Sequence, residues 1–384
     1  MSEFKVNTIT NKDGSHGPQI CGITTFGGSG MQLPSGPTEM RGGRGRGIVG
    51  GGHPGPQNTM DLVEIATIAN STDFGDLTVA LRNIATCASS TRGTFAGGQS
   101  PGNTNIICYT TISSQGGAND FGDLSTTMTN SNDGVLSDNT RGIILMGSPA
   151  DVQGSLEFIT IATTGDSSGF GDLSLKRRHT ATMASPTRGI FAAGKEDVGS
   201  TFLKLIDYVT IQTKGVAVKF GETLNMATEG SVGAGSKTRG LICGGLTPSI
   251  LDTIEYITIA TEGNATDFGN LSDSRHGSAS MSSSTRACVA GGTAPGNSDV
   301  IDYVTIATTG NATDFGDLTG LYSVGSATSN SIRGVFCGGY TSPSKHNLME
   351  FVTIATTGNA SDFGDMLYSR RDFGACSDSH GGLS

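Results

Sequence analysis

The sequence predicts an all-β protein, a β-propeller of seven four-stranded blades, on the basis of its composition and of two marks that each recur seven times. The 384 residues include 59 glycines and no tryptophan, and only 15% are charged. Glycine, serine, threonine and asparagine are frequent in this chain, and all four are unfavourable in helix interiors. They suit short strands joined by tight turns, so the composition favours strands over long helices.

The two marks recur at nearly constant spacing. One is Phe-Gly followed by Asp, Glu or Asn, at intervals of 47 to 50 residues, and the other is Arg-Gly or Arg-Ala before an apolar run, at intervals of 46 to 51. Seven units of this length are typical of a propeller. The phenylalanines are Phe74, Phe121, Phe170, Phe220, Phe268, Phe315 and Phe363. The arginines are Arg46, Arg92, Arg141, Arg188, Arg239, Arg286 and Arg333.

The unit from Ser272 to Thr319 contains the four strands of one blade. "SASMSSS" is a strand of small residues, "TRACVAGG" is an apolar strand ending in paired glycine, "IDYVTIAT" alternates between two faces, and "TDFGDLT" is the fourth strand. One small sheet cannot bury both of its faces, so blades stack radially with small residues nearest the axis. The repeated phenylalanine is predicted to fill the gap between neighbouring blades. A ligand-binding role for "DFGD" is the alternative.

The last segment predicts how the ring closes. Only 20 residues follow Phe363-Gly364, and they hold one more copy of the small-residue strand. No full copy of that strand precedes "GRGIVGGG" at 45–52. We therefore expect Arg370–Ser379 to pair into the blade of Ile48–Thr78, which removes exposed strand edges. The predicted domains are an extended N-terminal attachment arm, residues 1–40, and the propeller, residues 41–384.

Each predicted blade except the second carries a carboxylate near the start of its third strand. We expect it to pair with the repeated arginine of the same blade through charge-assisted hydrogen bonds. The alternative, a ring of carboxylates around Ca²⁺, is disfavoured because several oxygens must converge within about 2.6 Å. Cys108 takes this position in the second blade. The carboxylates are those of Asp61, Glu157, Asp207, Glu255, Asp302 and Glu350.

No sequence signal predicts a catalytic residue, a metal site or a cofactor. HExxH and the phosphate-binding GxxxxGK[ST] are absent, and the six histidines are scattered. His179 and His276 occupy the same place in two blades, where a surface or packing role is favoured over a metal site. Cys243, Cys288 and Cys337 fall in apolar strands and are expected to be buried free thiols rather than disulfide or metal partners.

Several partner classes are disfavoured by the sequence. The formal net charge of −10 argues against nucleic acid, whose binding proteins carry basic stripes. No apolar run reaches the roughly 18 residues of a membrane span, so no membrane insertion is expected. "MSEFKVNTITNKDG" lacks the apolar region of a secretory signal.

The repeat resembles the kelch repeat. An apolar strand ends in diglycine, an acidic residue and an aromatic follow, and another aromatic comes about a dozen residues later, as Phe where kelch usually has Trp. Diglycine is intact at 97–98, 244–245, 291–292 and 338–339 and degraded in "ILMGS" and "FAAG". The resemblance covers residues 45–384 and implies a propeller fold.

The amino-acid sequence of the repeat is similar to the repeat sequences of one group of kelch-like proteins. "TRGTFAGG" with "IDYVTIATTGNATDFGDLT" resembles kelch-like repeat proteins encoded by tailed phages of cyanobacteria. "FKVNTITNKDGSHGP" and "GMQLPSGPTEMR" resemble segments of tail-fibre and other virion proteins of such phages. The resemblance implies a virion protein, made in the host cytoplasm, whose arm joins other virion proteins. The candidate attachment residues are Phe4, Val6, Ile9, Leu33 and Pro34.

The connections between strands predict which face of the ring meets a partner. Those after the diglycine and after "FGDL" differ strongly between blades, and antiparallel order puts both kinds on one face. Specific contacts usually come from loops held on a rigid scaffold, although drift in unconstrained loops is the alternative. Candidate partner-binding residues are Arg177, Arg178, His179, Tyr322, Tyr340, Lys345 and Tyr368.

The expected function is therefore structural rather than enzymatic. We expect a phage tail or fibre component whose propeller contacts a host-surface glycan or protein, or neighbouring virion proteins. One alternative is a capsid decoration or head-fibre protein, and a weaker one is a carbohydrate-active enzyme on a propeller scaffold. The sequence leaves open whether the arm forms an oligomer, such as a trimer, or docks one copy onto another protein.

Overall fold

The computed structural model describes residues 45–129, 134–149, 154–196, 201–224, 228–294, 296–321 and 323–378. Within these ranges the chain is all β, and its strands form seven four-stranded antiparallel blades arranged in a ring. The predicted seven-bladed propeller is confirmed. The predicted arm, with Phe4, Val6, Ile9, Leu33 and Pro34, lies outside the described residues, as does Tyr322.

The strands are numbered in chain order. They are β1 (Arg46–Gly50), β2 (Gln57–Glu64), β3 (Thr72–Leu81), β4 (Ala85–Ala88), β5 (Arg92–Ala96), β6 (Gln99–Ser100), β7 (Gly102–Thr111), β8 (Asn119–Met128), β9 (Val135–Ser137), β10 (Arg141–Leu145), β11 (Ser155–Thr160), β12 (Ser168–Asp172), β13 (Ala181–Ala184), β14 (Arg188–Ala192), β15 (Leu205–Thr210), β16 (Val218–Glu222), β17 (Val232–Gly235), β18 (Arg239–Leu246), β19 (Ile250–Thr258), β20 (Thr266–Asn270), β21 (Ala279–Ser282), β22 (Arg286–Ala290), β23 (Thr293–Ala294), β24 (Gly296–Asn297), β25 (Val300–Thr305), β26 (Thr313–Asp317), β27 (Ser323–Ser329), β28 (Arg333–Thr341), β29 (Ser344–Thr353), β30 (Ser361–Asp365) and β31 (Gly374–Ser377).

Each blade has an inner, a second, a third and an outer strand. From blade 1 to blade 7 these are β31-β1-β2-β3, β4-β5-β7-β8, β9-β10-β11-β12, β13-β14-β15-β16, β17-β18-β19-β20, β21-β22-β25-β26 and β27-β28-β29-β30. The inner strand of blade 1 comes from the far end of the chain and pairs with β1, with Gly47 opposite Ser377 and Gly50 opposite Gly374. The predicted closure of the ring in blade 1 is confirmed.

Small residues allow the inner strands to approach one another around the axis. A Cβ atom added at Gly233 in blade 5 would collide with the backbone carbonyl of Thr182 in blade 4. A Cβ at Gly374 in blade 1 would likewise collide with the side chain of Thr86 in blade 2. The serines, alanines and glycines of the repeat are therefore required by the close spacing of blades at the axis.

The repeated phenylalanines lie between blades. Phe315 of blade 6 packs in one buried cluster with Val352 and Ile354 of blade 7. It also meets Tyr303 of its own third strand edge to face, with ring centres 5.9 Å apart. The equivalent phenylalanines occupy the equivalent inter-blade clusters and are almost fully buried: Phe74, Phe121, Phe170, Phe220, Phe268 and Phe363.

The phrase around each phenylalanine also forms an inter-blade hydrogen-bonded clasp, which sequence reasoning missed. Gly310 N donates to the Phe268 carbonyl at 2.8 Å, and the amide of the residue two positions on donates to the Asn270 carbonyl at 2.8 Å. In return, Asn270 N donates to Asn311 Oδ1 at 3.1 Å. The glycine after the phenylalanine is needed because a Cβ at Gly269, where φ is +143°, would sit 2.5 Å from the Gly310 carbonyl carbon. The "TGNA" and "DFGD" halves of the repeat are thus the two sides of one joint.

The repeated arginine also joins neighbouring blades, so its predicted pairing with the carboxylate of its own blade is wrong. The Arg286 guanidinium lies over the Tyr303 ring at 4.2 Å, and its Nη1 donates to the Ile354 carbonyl of the next blade at 2.9 Å. Because the guanidinium stacks on the aromatic ring, it reaches across the boundary to the next blade and does not meet the buried acid. The same bond to the next blade is made by Arg46, Arg92, Arg141, Arg188, Arg239 and Arg333.

The carboxylates instead bind the connection that enters their blade. Asp302 accepts bonds from the Ser272 backbone amide and hydroxyl, each at 3.0 Å, and forms a buried ion pair with Arg275. Asp61 with Arg370 and Asp207 with Arg177 repeat this pairing. The glutamates receive the same kind of backbone amide, from Ser125, Leu224 and Thr319. Each acid therefore fixes the start of its blade.

Arg177 is consequently wrong as a predicted partner-binding residue. Its side chain is fully buried, and Nη1 lies 2.8 Å from Asp207 Oδ2. Its other amino group, Nη2, donates to the Phe191 carbonyl at 3.1 Å. Burial lowers the pKa of this guanidinium and Asp207 opposes the shift. The side chain is part of the blade interior because Asp207 needs a buried cation.

Candidate functional site

The two faces of the ring differ in what their connections do. The turn face carries the connections between inner and second strands and between third and outer strands, which hold the arginines and the "TGNA" half of the clasp. The loop face carries the connections between second and third strands and between each outer strand and the next inner strand. Hydrogen bonds between blades recur on the turn face. On the loop face, backbone bonds such as that from Gly245 N to the Arg275 carbonyl tie the ends of connections whose sequences differ from blade to blade.

A cavity of about 420 Å³ lies at the axis on the loop face. It is lined where the inner strands begin, by residues from all seven blades. Three of these residues, Asn83, His179 and Asp372, have left-handed backbone conformations with φ of 52–58°. Hydroxyl side chains are frequent in the lining, namely those of Thr86, Thr180, Thr182, Ser231, Ser278, Ser280, Thr293, Ser323 and Ser326.

The structure brings some of the predicted partner-binding residues together and separates others. His179 and Tyr340 line the cavity. Arg178 and Lys345 are half-buried beside it, next to His179 and across the strand pair from Tyr340. Tyr368 is 52% exposed but lies outside the lining, in the connection that follows the outer strand of blade 7.

Sequence reasoning gave His276 only a surface or packing role and missed Arg371 and Asp372 of the cavity. Arg371, Asp372 and His276 line it. Just before an inner strand, His276 and Arg371 stand at the place of Arg178, and Asp372 stands at the place of His179. The predicted equivalence of His179 and His276 is therefore wrong by one residue. An isolated β-bridge lies at this place in two blades, between Arg178 and Lys195 in blade 4 and between His276 and Thr293 in blade 6. Alignment of the repeats on the inner strand is the signal that would have found them.

Two charged clusters flank the cavity on opposite sides of the loop face. Between blades 4 and 5, Glu229 accepts from His179 at 3.1 Å and from Lys195 at 3.3 Å. Burial opposes ionisation of Glu229, but these two partners outweigh it and lower the pKa of the carboxyl. Lys195 therefore has a carboxylate partner within this cluster.

The other cluster joins blades 7, 1 and 2 and is rich in cations. His53 Nδ1 lies 3.2 Å from Arg82 Nη1, and the Arg371 guanidinium covers the Tyr340 ring at 4.4 Å. The pKa of His53 is lowered, first by desolvation and then by the positive charges of Lys345 and Arg371. Burial and these cations therefore disfavour protonation of the His53 imidazole.

One stretch with the spacing of a hydrolase motif lies in an inter-blade joint. Gly165–Gly169, "GDSSG", has the GxSxG spacing, whose serine is exposed on a strand-to-helix turn in hydrolases. Here the Ser167 hydroxyl donates to the Glu157 carboxylate and lies 3.3 Å from the Asp123 carbonyl oxygen. Ser167 lies in the clasp between blades 2 and 3, so its hydroxyl has a structural role.

The thiols of the propeller are buried. Desolvation raises the pKa of the Cys243, Cys288 and Cys337 thiols to about 12. These cysteines are free, as predicted from their apolar strands. Among the described residues, no group of three or more His, Cys, Asp or Glu side chains is arranged to hold a metal ion.

Comparisons with known proteins add no family assignment. No protein-family model matches the chain, and no curated protein is significantly similar to it. In the part of the chain that the structure describes, no helix is long and apolar enough to cross a membrane.

Proposed function

We propose that this protein is a non-enzymatic component of a phage particle, a tail or fibre protein whose loop face recognises the host surface. The observation that carries the recognition role is the cavity at the axis of the loop face, where connections that differ between blades converge. The virion assignment comes from the resemblance of the repeat and of residues 4–18 and 30–41 to virion proteins of cyanobacterial phages. The arm would then bind other virion proteins.

The physical argument for recognition is that the two faces of the ring have different structural roles. Clasps and arginine bonds hold neighbouring blades together at the turn face, and the buried acids fix the loop-face connection that enters each blade. Loop-face connections are thereby free to vary while their ends stay fixed, which is the arrangement that binding loops use on rigid scaffolds. A preformed cavity also spares a ligand the cost of ordering its site.

Two experiments test the proposal. Cryo-EM of intact particles with a tag on the arm is expected to place the chain on the tail. Density over the shell would instead favour capsid decoration and contradict the tail assignment. Fluorescently labelled full-length protein is expected to bind susceptible cyanobacterial cells, and His179→Ala with Tyr340→Ala is expected to weaken that binding.

The control is Val216→Ser on the turn face, where Val216 is 68% exposed. It is expected to bind cells like the unaltered protein. Equal binding by the His179/Tyr340 variant and the unaltered protein would overturn the assignment of the loop face. Release of sugars from host polysaccharide by the purified protein would contradict the non-enzymatic role.

A further inference from the structure

A continuous chain of contacts on the loop face brings four basic side chains together. Arg371 stacks on the Tyr340 ring at 4.4 Å and exchanges backbone hydrogen bonds with His53, at 2.8 and 3.2 Å. The His53 ring in turn lies 3.2 Å from the Arg82 guanidinium. Lys345 is the cross-strand neighbour of Tyr340. Blades 7, 1 and 2 thus contribute to one cluster, here called the basic sector: His53, Arg82, Lys345 and Arg371.

Positive charge exceeds negative charge in the basic sector. Its nearby carboxylate is that of Asp372, 3.5 Å from Arg371 Nε, and these two side chains are 36% and 37% exposed. Among the described residues, neither Arg82 nor Lys345 forms an ion pair with a carboxylate. Three permanent cations therefore face one anion in a chain whose formal net charge is −10. A surplus of this kind, reachable from solvent, is complementary to an anionic ligand.

The opposite side of the cavity shows that the surplus is local. There Lys195 and His179 share the carboxylate of Glu229. The cations at that position are used within the protein, whereas those of the basic sector remain available. A ligand drawn by charge would therefore contact the loop face on the side of blades 7, 1 and 2.

The basic sector borders the hydroxyl-lined cavity, because Arg371 and the Tyr340 ring on which it stacks both line that cavity. Guanidinium groups bind carboxylates or sulfates through paired hydrogen bonds. The hydroxyls of Thr86, Ser278, Ser280 and Ser323 donate to backbone carbonyls. Their oxygens can still accept hydrogen bonds from sugar hydroxyls. The volume, about 420 Å³, is within the range of pockets that hold small ligands.

We propose that the loop face binds an acidic polysaccharide, with its carboxylate or sulfate groups on Arg82, Lys345 and Arg371 and its hydroxyls in the cavity. This inference rests on the proposed function, since it takes the loop face to be the recognition face. The ligand contacts are charge-assisted hydrogen bonds, so binding weakens as salt concentration rises.

Calorimetric titration of the full-length protein with three oligosaccharides of equal length tests this proposal. The probes are an oligogalacturonate, a sulfated galactan and a neutral galactan. We expect at least one acidic probe to bind about tenfold more tightly than the neutral one, because one charge-assisted hydrogen bond accounts for a factor of that order. Which acidic probe binds distinguishes a carboxylate from a sulfate ligand.

The variants are Lys345→Gln and Arg371→Gln, with Lys214→Gln on the turn face as a control that removes the same charge. We expect each basic-sector variant to weaken acidic-probe binding by about tenfold, and the control to leave it unchanged. Arg371→Lys keeps the charge and is expected to lose less than Arg371→Gln. Circular dichroism and the unfolding midpoint confirm that each variant is folded.

Two results would overturn the proposal: acidic probes that bind no better than the neutral one, or equal losses in the Lys214 control. The recognition role itself is tested separately by cell binding. Cell binding that is lost in the His179/Tyr340 variant but kept in Lys345→Gln would preserve the proposed function and reject the acidic ligand. Cell binding unaffected by any loop-face variant would reject both.

Discussion

Three blades of this propeller hold a buried carboxylate in a way that differs from three others. In blades 1, 4 and 6 the acid is an aspartate, and a fully buried arginine pairs with it: Asp61 with Arg370, Asp207 with Arg177, and Asp302 with Arg275. In blades 3, 5 and 7 the acid is a glutamate, which receives a backbone amide of the entering connection. Blade 2 has neither, with Leu81 and Cys108 at the two positions.

The start of a blade is therefore fixed in three chemically different ways within one chain. A buried charge is costly unless it is paired and hydrogen-bonded. The aspartate blades meet that cost with an arginine from the same blade. The apolar pair of blade 2 avoids the buried charge altogether.

The largest expected effect comes from breaking one aspartate–arginine pair. Arg275→Leu leaves Asp302 buried without its cation, and we expect the free energy of unfolding to fall by about 3–5 kcal/mol. Urea unfolding followed by circular dichroism measures this loss. A loss below about 1 kcal/mol would mean that the hydrogen bonds from Ser272 suffice for the carboxylate.

Replacing both members of the Asp302–Arg275 pair with the residues of blade 2 tests whether an apolar pair can fix the start of blade 6. Arg275→Leu/Asp302→Cys removes the buried charges together, and we expect stability within about 1–2 kcal/mol of the unaltered protein. The single variant Arg275→Leu is the matched reference in the same urea series. If the double variant is as unstable as the single one, the blade 2 solution depends on neighbours that blade 6 lacks.

The smallest effect is expected for a glutamate blade. Desolvation raises the pKa of the Glu350 carboxyl, with the Thr319 hydrogen bonds opposing the shift. The ionised form is therefore disfavoured in the fold, so this group's contribution is largest below its ordinary pKa and is lost as pH rises through the raised value. Glu350→Gln removes this dependence and keeps an acceptor for Thr319 N.

We expect Glu350→Gln to change stability by no more than about 1 kcal/mol at neutral pH. Its stability relative to the unaltered protein should rise between acid and neutral pH. Urea midpoints across that range measure the difference. A relative stability that falls with pH would show that the ionised carboxylate of Glu350 is stabilised in blade 7.

The blade count and the ring closure could be predicted because they depend on periodicity. Phe315 is one of seven phenylalanines that recur at nearly constant spacing. The extra small-residue strand near Cys376 can complete only blade 1, because each of the other six blades has an inner strand of its own. Both features are properties of the chain order alone. Periodicity also located the inter-blade phenylalanines, although not the backbone hydrogen bonds of the clasp, since these involve main-chain atoms that every residue has.

The carboxylate partners and the site residues could not be predicted in the same way. Arg177 and Arg178 are adjacent in the sequence, yet the first is buried and the second is half-buried. A shift of one residue along the chain decides whether an arginine forms an ion pair inside the blade or lies at the edge of the cavity. Of the basic sector, only Lys345 was predicted. Arg82 and Arg371 are 289 residues apart and come together around His53 only when the ring closes.

The origin of the innermost strand of blade 1 has a consequence for synthesis of the protein. Translation produces β1 first among the described strands and β31 last, so β1 lacks its inner partner while the other six blades are made. At about 5–20 residues per second this interval is on the order of 15–65 s. During that time β1 presents an open edge to other nascent chains. High expression should therefore favour aggregation, and slower translation at lower temperature should improve the yield of closed rings.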